Sequence, residues 1–432
     1  MNYEEALAWI HGRLRLGVKP GLKRMEWLME KMGHPERRVK FVHVGGTNGK
    51  GSTVTFIRSI LQSAGYEVGT FTSPYIEQFN ERISINGVPI SDAEMVELSE
   101  KIIPLAKELE DTELGGPTEF EVITAMCLYY FGMVRPVDIV IMEVGLGGRF
   151  DSTNIIYPLV SVITNIGMDH VHILGDSISD IAKEKAGIIK NGIPVIIGEN
   201  KKEALEKIEE AAAEKKAKLY KLGTQIVVTD HKSIEEGESY TLETPYHTYR
   251  GLVTGLKGTY QANNSALAVM AVEYLKTYFS FLIEPEHVYE GLKKAYWPGR
   301  FETVSRQPAI IIDGAHNREG IEALAQTLKI RFPYNRIKVL FAGLADKPLQ
   351  PMLSLLSEVS DSLYVTTFNF PRAASAEELQ AALPSGKGYI AENWKAWIDG
   401  ELERMEEQEI LVVTGSLYFI SEVKKYFEIA NL

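Results

Sequence analysis

The stretch "HVGGTNGKGST", His43 to Thr53, is a glycine-rich run closed by a lysine and two hydroxyl residues, directly behind the apolar "VKFVHV". A phosphate cradle needs glycines so that successive backbone N–H groups turn toward phosphate oxygens. It also needs a lysine to reach the outer phosphates and a hydroxyl for Mg²⁺. Gly45, Gly46, Gly49, Lys50, Gly51, Ser52 and Thr53 supply these parts. The standard spacing fails, because Val44 stands where a glycine belongs and Gly51 where the hydroxyl after the lysine belongs. A plain strand-to-helix turn is the alternative; the lysine, the hydroxyls, the strand before and the helix after all favour phosphate.

Outward from the loop, "VDIVIMEVG", "LVSVITNIG" and "IPVIIG" are short, nearly continuous apolar runs, the pattern of strands buried on both faces of a parallel sheet. "TVTFIRSILQSAGYEVGTF" predicts an amphipathic helix ending at Gly65 and then a strand, which makes a βαβ unit. A second alternation begins after "AYWPGRFE": "AIIIDGAHN", "GIEALAQTLKIRF", "RIKVLFAGL", "LYVTTF" and "EILVVTGSLYF". The expected fold class is therefore α/β with two doubly wound domains. The first, 1–296, is a P-loop domain with a mostly parallel sheet; the second, 297–432, is smaller and Rossmann-like. Between the two series, "KKEALEKIEEAAAEKKAKLYKL" predicts a solvated helix and "TDHKSIEEGESYTLETPYHTYRG" an antiparallel ribbon.

A chain of 432 residues exceeds what one core normally organises, which also favours two domains. The net charge of −12, without a basic block, argues against nucleic acid or an anionic membrane surface as partner. The single cysteine, Cys127, sits in "ITAMCLYYF" and fits buried filler in a reducing compartment. The early glutamates of "MNYEEALAWIHGRL" do not suit a signal or transit peptide, and the apolar runs fall short of the ~20 residues that span a bilayer. A cytoplasmic location is expected.

The variant loop is one of several motifs in fixed order. "GTNGKGS", "TSPYIEQFNERI" (Thr72–Ile83), "EVGLGGRFDSTN" (Glu143–Asn154), "DHVHILGDSISDIAKEKAGIIK" (Asp169–Lys190), "GTYQANNSALAV", "WPGRFE", "IIDGAHN" and "TGSLYF" cover nearly the whole chain. Together they resemble the folylpolyglutamate synthase and dihydrofolate synthase family within the ATP-dependent Mur-type ligases.

That resemblance implies an ATP- and Mg²⁺-dependent amide ligase that joins L-glutamate to the carboxylate of folates, and of dihydropteroate, through an acyl phosphate. ATP would be held by Thr47, Asn48, Gly49, Lys50, Gly51 and Ser52, with Asn264, Gln261, Arg300 and Asp313. Ser73, Glu143 and His170 are the implied positions for two Mg²⁺ ions, which prefer oxygen ligands; Ser73 and His170 follow expected strands and Glu143 stands near the end of one. Without the resemblance, Glu143 reads equally as a strand-end ion pair and His170 as loop polarity or, with His172, half of a transition-metal pair. Lys185 reads from its neighbours as a surface lysine; the resemblance implies a catalytic role, with a carbamate formed on it by CO₂. Asp313 and His316 are implied to face the reacting phosphate and the incoming glutamate across the domain cleft. Arg82 and Ser416 are candidate substrate carboxylate contacts, with a loop salt bridge and a helix cap as the plainer alternatives.

"GVKPGLKRMEWLM" is similar to bacterial members that carry both activities, which favours a bifunctional enzyme over a monofunctional folylpolyglutamate synthase. A cell-wall Mur-type ligase and a nucleotide-driven switch are the remaining readings. The first normally has an additional N-terminal domain ahead of the loop; the second would want a guanine-reading NKxD, which is absent. A monomer is expected.

Overall fold

The computed structural model describes residues 1–17, 19–384 and 388–430; Val18 of the N-terminal segment quoted above lies outside them. Two compact units form. One comprises 1–230, 240–253 and 263–295, the other 231–239, 254–262 and 296–432.

The first unit is built on β1 (Phe41–Gly45), β2 (Val68–Phe71), β3 (Ile83–Ile85), β4 (Val88–Pro89), β5 (Ile139–Glu143), β6 (Val160–Ile163), β7 (Val195–Ile197) and β8 (Leu219–Lys221). Their order is β4-β3-β2-β5-β1-β6-β7-β8. The pairs β2–β5, β5–β1, β1–β6, β6–β7 and β7–β8 are parallel, while β3 and β4 add an antiparallel edge. Every residue of β1, β2, β5, β6 and β7 is buried, which is why these runs are apolar without alternation.

Helix Lys50–Ser63 leaves the nucleotide-loop candidate and buries ten of its residues, from Gly51 to Leu61. It is enclosed on a further side by helix Pro285–Lys294, where a Cβ on Gly291 would lie 2.5 Å from the Cα of Ile60. The Ser59 hydroxyl donates to the Gly291 carbonyl at 2.7 Å, fixing that close approach. The helix is therefore held by packing on several faces rather than along one stripe.

Strands β9 (Val227–Ser233), β10 (Glu238–Glu243) and β11 (Thr248–Thr254) follow as a three-stranded sheet in the order β11-β10-β9. The second unit carries β12 (Glu302–Arg306), β13 (Ala309–Asp313), β14 (Arg336–Phe341), β15 (Ser362–Val365), β16 (Tyr389–Ile390) and β17 (Glu409–Thr414), ordered β12-β13-β17-β14-β15-β16. Only β12 runs antiparallel to its neighbour. Its core joins Ile311, Leu324, Leu328, Val339, Phe341, Leu356 and Val412.

Helix Lys202–Glu214 buries only Ala204, Ile208 and Ala212, matching a solvated helix packed on a narrow stripe; the expected helical segment ends there, and Leu219–Lys221 is strand β8. Cys127 is fully buried, and burial pushes its thiol well above the usual range. Among the described residues no helix is long and apolar enough to cross a membrane.

Candidate active site

In the first unit the loop after β1 is shaped by the end of β6. Thr47 N–H donates to the Asn165 carbonyl and Asn48 N–H to the Asn165 side chain, both at 2.9 Å. The Thr164 hydroxyl donates to the Asn48 carbonyl at 2.5 Å, and Gly167 N–H donates to the Thr47 hydroxyl at 2.8 Å. Gly46 has φ +140°, and a Cβ there would stand 1.9 Å from the Thr164 hydroxyl oxygen. Only glycine fits. Gly49, at φ +83°, would place a Cβ 2.4 Å from Asn264 Oδ1, so Asn264 lies directly against the loop.

Lys50 opens the helix, and its Nζ donates to the Gly46 and Thr47 carbonyls at 3.1 Å each. Lys185 Nζ donates to the same Gly46 carbonyl at 2.9 Å. The surface position expected for Lys185 is thereby overturned: the residue is 5% exposed. Burial and then the neighbouring Lys50 ammonium push its pKa down to about 7, against the pull of Asp169 and Asp151. Lys185 shares one face of helix Ile178–Ala186 with Ile181, Ala182 and Ala186, so its burial follows the helical repeat, which the charged neighbours Lys183 and Glu184 obscure. The loop after β5 covers it. Arg149 N–H donates to the Glu184 carbonyl, and Asn154 Nδ2 donates to the Gly187 carbonyl.

Glu143, at the end of β5, is 4% exposed and accepts the Ser73 N–H at 3.3 Å, so this hydroxyl residue and this carboxylate are brought together. His170 lies in the left-handed region at φ 51°, beside Asp169 Oδ2 at 3.8 Å. Among the described residues no group of three or more His, Cys, Asp or Glu side chains is set to hold a metal unaided. A serine, a carboxylate and a histidine are nonetheless a donor set suited to Mg²⁺, which keeps waters and takes phosphate oxygens. Arg82 pairs with Glu119 at 3.7 Å and lies against the rings of Tyr75 and Phe79.

Behind this face His43 is fully buried, its Nε2 2.9 Å from the Thr153 hydroxyl, which in turn donates to Asp151. Burial, with Lys190 adding to it, pushes the His43 pKa down to about 3. The sequence signal for these supports, and for Thr164 and Asn165, was their polarity inside or just beyond otherwise apolar strands.

In the second unit Asp313 ends β13 and is 2% exposed. Its two carboxylate oxygens accept the Phe301 and Ala315 N–H groups at 2.8 Å each. Burial raises its pKa, and Arg300 and those N–H groups oppose the rise. His316 Nδ1 is 2.9 Å from the Gly314 carbonyl, which makes Nδ1 the protonated nitrogen of the neutral ring. Gln261 is fully buried at the start of helix Tyr260–Phe279. Ser416 is 1% exposed and its hydroxyl has no hydrogen-bond partner, so the helix-cap alternative fails.

The geometry defines a class: an α/β nucleotide-loop protein with a second α/β unit bearing acid and histidine at a strand end. Comparison agrees, for the Mur ligase middle domain matches residues 44–272 and the Mur ligase glutamate ligase domain residues 299–417. A dihydrofolate synthase/folylpolyglutamate synthase of Bacillus subtilis (strain 168) is 47% identical over 427 residues, 98% of each chain. The solved structure of Mycobacterium tuberculosis folylpolyglutamate synthase complexed with ADP superposes with a TM-score of 0.91 at 31% identity, over 99% of each chain. A structure described as an FPGS–AMPPCP–folate complex gives 0.87 at 35% identity, over 99% of this chain and 100% of that one. The chain belongs to the folylpolyglutamate synthase/dihydrofolate synthase family of Mur ligases.

Proposed function

We propose that this chain is an ATP-dependent ligase that adds L-glutamate to the carboxylate of folates and to dihydropteroate. Residues 1–296 act as the ATP-binding domain and 297–432 as the glutamate-binding domain, in a cytoplasmic monomer. The observation that carries the reading is the convergence of Lys50 and Lys185 on the Gly46 carbonyl of a glycine-strained phosphate loop. The Bacillus subtilis relative is named for both activities, while a Lacticaseibacillus casei relative, 36% identical over 98% of each chain, is named for folylpolyglutamate synthesis alone.

The folate carboxylate oxygen attacks the γ-phosphorus, giving an acyl phosphate and ADP. The α-amine of glutamate then attacks the acyl carbon, phosphate leaves, and the amine loses a proton. Thr47 through Ser52 hold the phosphates, and Lys50 offsets the charge that collects on the oxygens in transit. Asn264 and Gln261 supply amides for the base, and Arg300 a cation for phosphate. His316, with Nδ1 committed to Gly314, presents Nε2 as its basic nitrogen and orients glutamate; Arg82 and Ser416 hold substrate carboxylates. Ser73, Glu143 and His170 would hold Mg²⁺, which when bound supplies charge neutralisation at the phosphates. Lys185, its pKa lowered to about 7 by burial, has a neutral amine fraction that can take up CO₂ as a carbamate with release of the nitrogen's proton, which replaces an ammonium facing the loop by an anion.

Phosphate release with ATP and Mg²⁺ is the test, with dihydropteroate, tetrahydrofolate and L-glutamate added singly and in pairs and products weighed by mass spectrometry. Release that needs a pterin and glutamate together, with a product one glutamyl unit heavier, is expected. Release indifferent to both would leave a nucleotide switch and end the ligase reading.

A further inference from the structure

The nucleotide loop does not hold its shape alone; it borrows it from Thr164–Gly167, and that segment is itself tied from behind. Glu199 follows β7 and is 4% exposed. Its Oε2 accepts the Ile166 N–H at 2.5 Å, across 33 residues of chain. Its Oε1 accepts the N–H groups of Asn200 and Lys201 at 2.7 Å each. Lys201 Nζ returns to the Ile166 carbonyl, so a turn of three residues grips both peptide groups of Ile166.

The residues on either side of Ile166 are those that grip the loop. Asn165 accepts the Thr47 and Asn48 N–H groups, and Gly167 donates to the Thr47 hydroxyl. We propose that Glu199, assisted by Lys201, is a positioning residue for nucleotide binding, acting through Ile166 on the Thr47–Asn48 backbone.

Helix capping does not account for this arrangement. Lys201 is the N-cap of helix Lys202–Glu214 and makes no side-chain cap bond, and the Glu199 carboxylate bonds to the turn before the helix rather than to its first N–H groups. The spare oxygen is spent on Ile166 instead. A buried carboxylate that loses one acceptor leaves a buried N–H unpaired, and the segment it anchored shifts. Phosphate recognition by backbone N–H groups is intolerant of shifts approaching 1 Å.

The inference rests on the reading of the loop as a nucleotide site, and the test separates the two. The full chain with Mg²⁺ is titrated calorimetrically with a non-hydrolysable ATP analogue as wild type, Glu199→Gln, Lys201→Met and the double variant, with urea midpoints and the KM for L-glutamate measured alongside. Each single variant should bind the analogue about tenfold more weakly, equivalent to about 1.4 kcal/mol, with the KM for glutamate within about twofold. The double variant should lose less than the product of the two, because both cut one tie. Should Glu199→Gln fail to fold, Lys201→Met carries the measurement, since it leaves the buried carboxylate in place. Analogue binding within about twofold of wild type in the folded single variants overturns the inference, whatever the urea midpoints do. A wild-type chain that bound no analogue would overturn the loop reading and this inference together.

Discussion

The loops after β1 and after β13 both follow a buried parallel strand, yet they are stabilised in different ways. The β1 loop is held by its surroundings: Thr164, Asn165 and Gly167 bond to it from another strand end, and Gly46 survives there because nothing larger fits. The β13 loop is tied by Gly299, Thr414 and Gly415 from other segments but is also held from inside by its own strand's last residue, with Asp313 folding one oxygen onto Ala315 ahead and the other onto Phe301. A loop fixed from outside through the Thr47 and Asn48 N–H groups leaves the first turn of helix Lys50–Ser63 as the part that can receive a ligand. One fixed from inside keeps a charged group buried and offers the next side chains, such as His316.

The contrast is most sharply broken at Lys50. Lys50→Ala should leave the circular dichroism spectrum unchanged and cut folate-dependent ADP formation by roughly 10²–10³-fold, since it removes transition-state charge stabilisation and no core contact. A variant that kept most of its turnover would remove Lys50 from the chemistry.

Gly46→Ala tests the outside-in support. A side chain at φ +140° that meets the Thr164 hydroxyl should cost about 2–4 kcal/mol in urea unfolding or abolish nucleotide binding. Asp313→Asn probes the other loop: an amide cannot accept at both positions, so a loss of about 1–3 kcal/mol is expected, with ADP affinity less affected than in Gly46→Ala. His316→Ala should raise the KM for glutamate more than the Kd for nucleotide, and equal losses would contradict the division of roles.

The pH dependence sharpens the comparison further, because the β1 side rests on a buried neutral His43. Its folded pKa of about 3 lies below the ordinary 6.5, so the unfolded chain takes up the proton first. The stabilisation is intact above pH 6.5 and is lost as pH falls from 6.5 toward 3. His43→Leu should lower stability at pH 7 by about 1–2 kcal/mol, through the lost bond to Thr153, and flatten the decline between pH 6.5 and 4. An unchanged slope in acid urea titrations would assign the acid sensitivity elsewhere. The smallest effect is expected at Ser416→Ala, within about 0.5 kcal/mol in stability because its hydroxyl makes no bond, with any change appearing in substrate KM.

Much of this was legible in one dimension. The apolar runs of β1, β5, β6, β13 and β17 announced parallel strands because a strand covered on both faces has no polar side to alternate. The glycine, lysine and hydroxyl pattern announced a phosphate loop because those residue types are required by backbone N–H geometry and charge, which are local. Lys185 was not legible from its neighbours. Its place four residues after Ile181, on the apolar face, held the signal, but the adjacent Lys183 and Glu184 obscured it, and the loop that covers the helix came only with the fold.

The sequence by itself determined the two α/β alternations, the family and the place of the candidate phosphate loop, since local sterics and hydrophobic period act between near neighbours. Only the tertiary structure decided that Thr164 forbids a side chain at Gly46, that Lys50 and Lys185 meet on one carbonyl, and that Glu199 reaches Ile166. Those depend on contacts between residues far apart in the chain, and on the loss of water around them, which no single segment specifies.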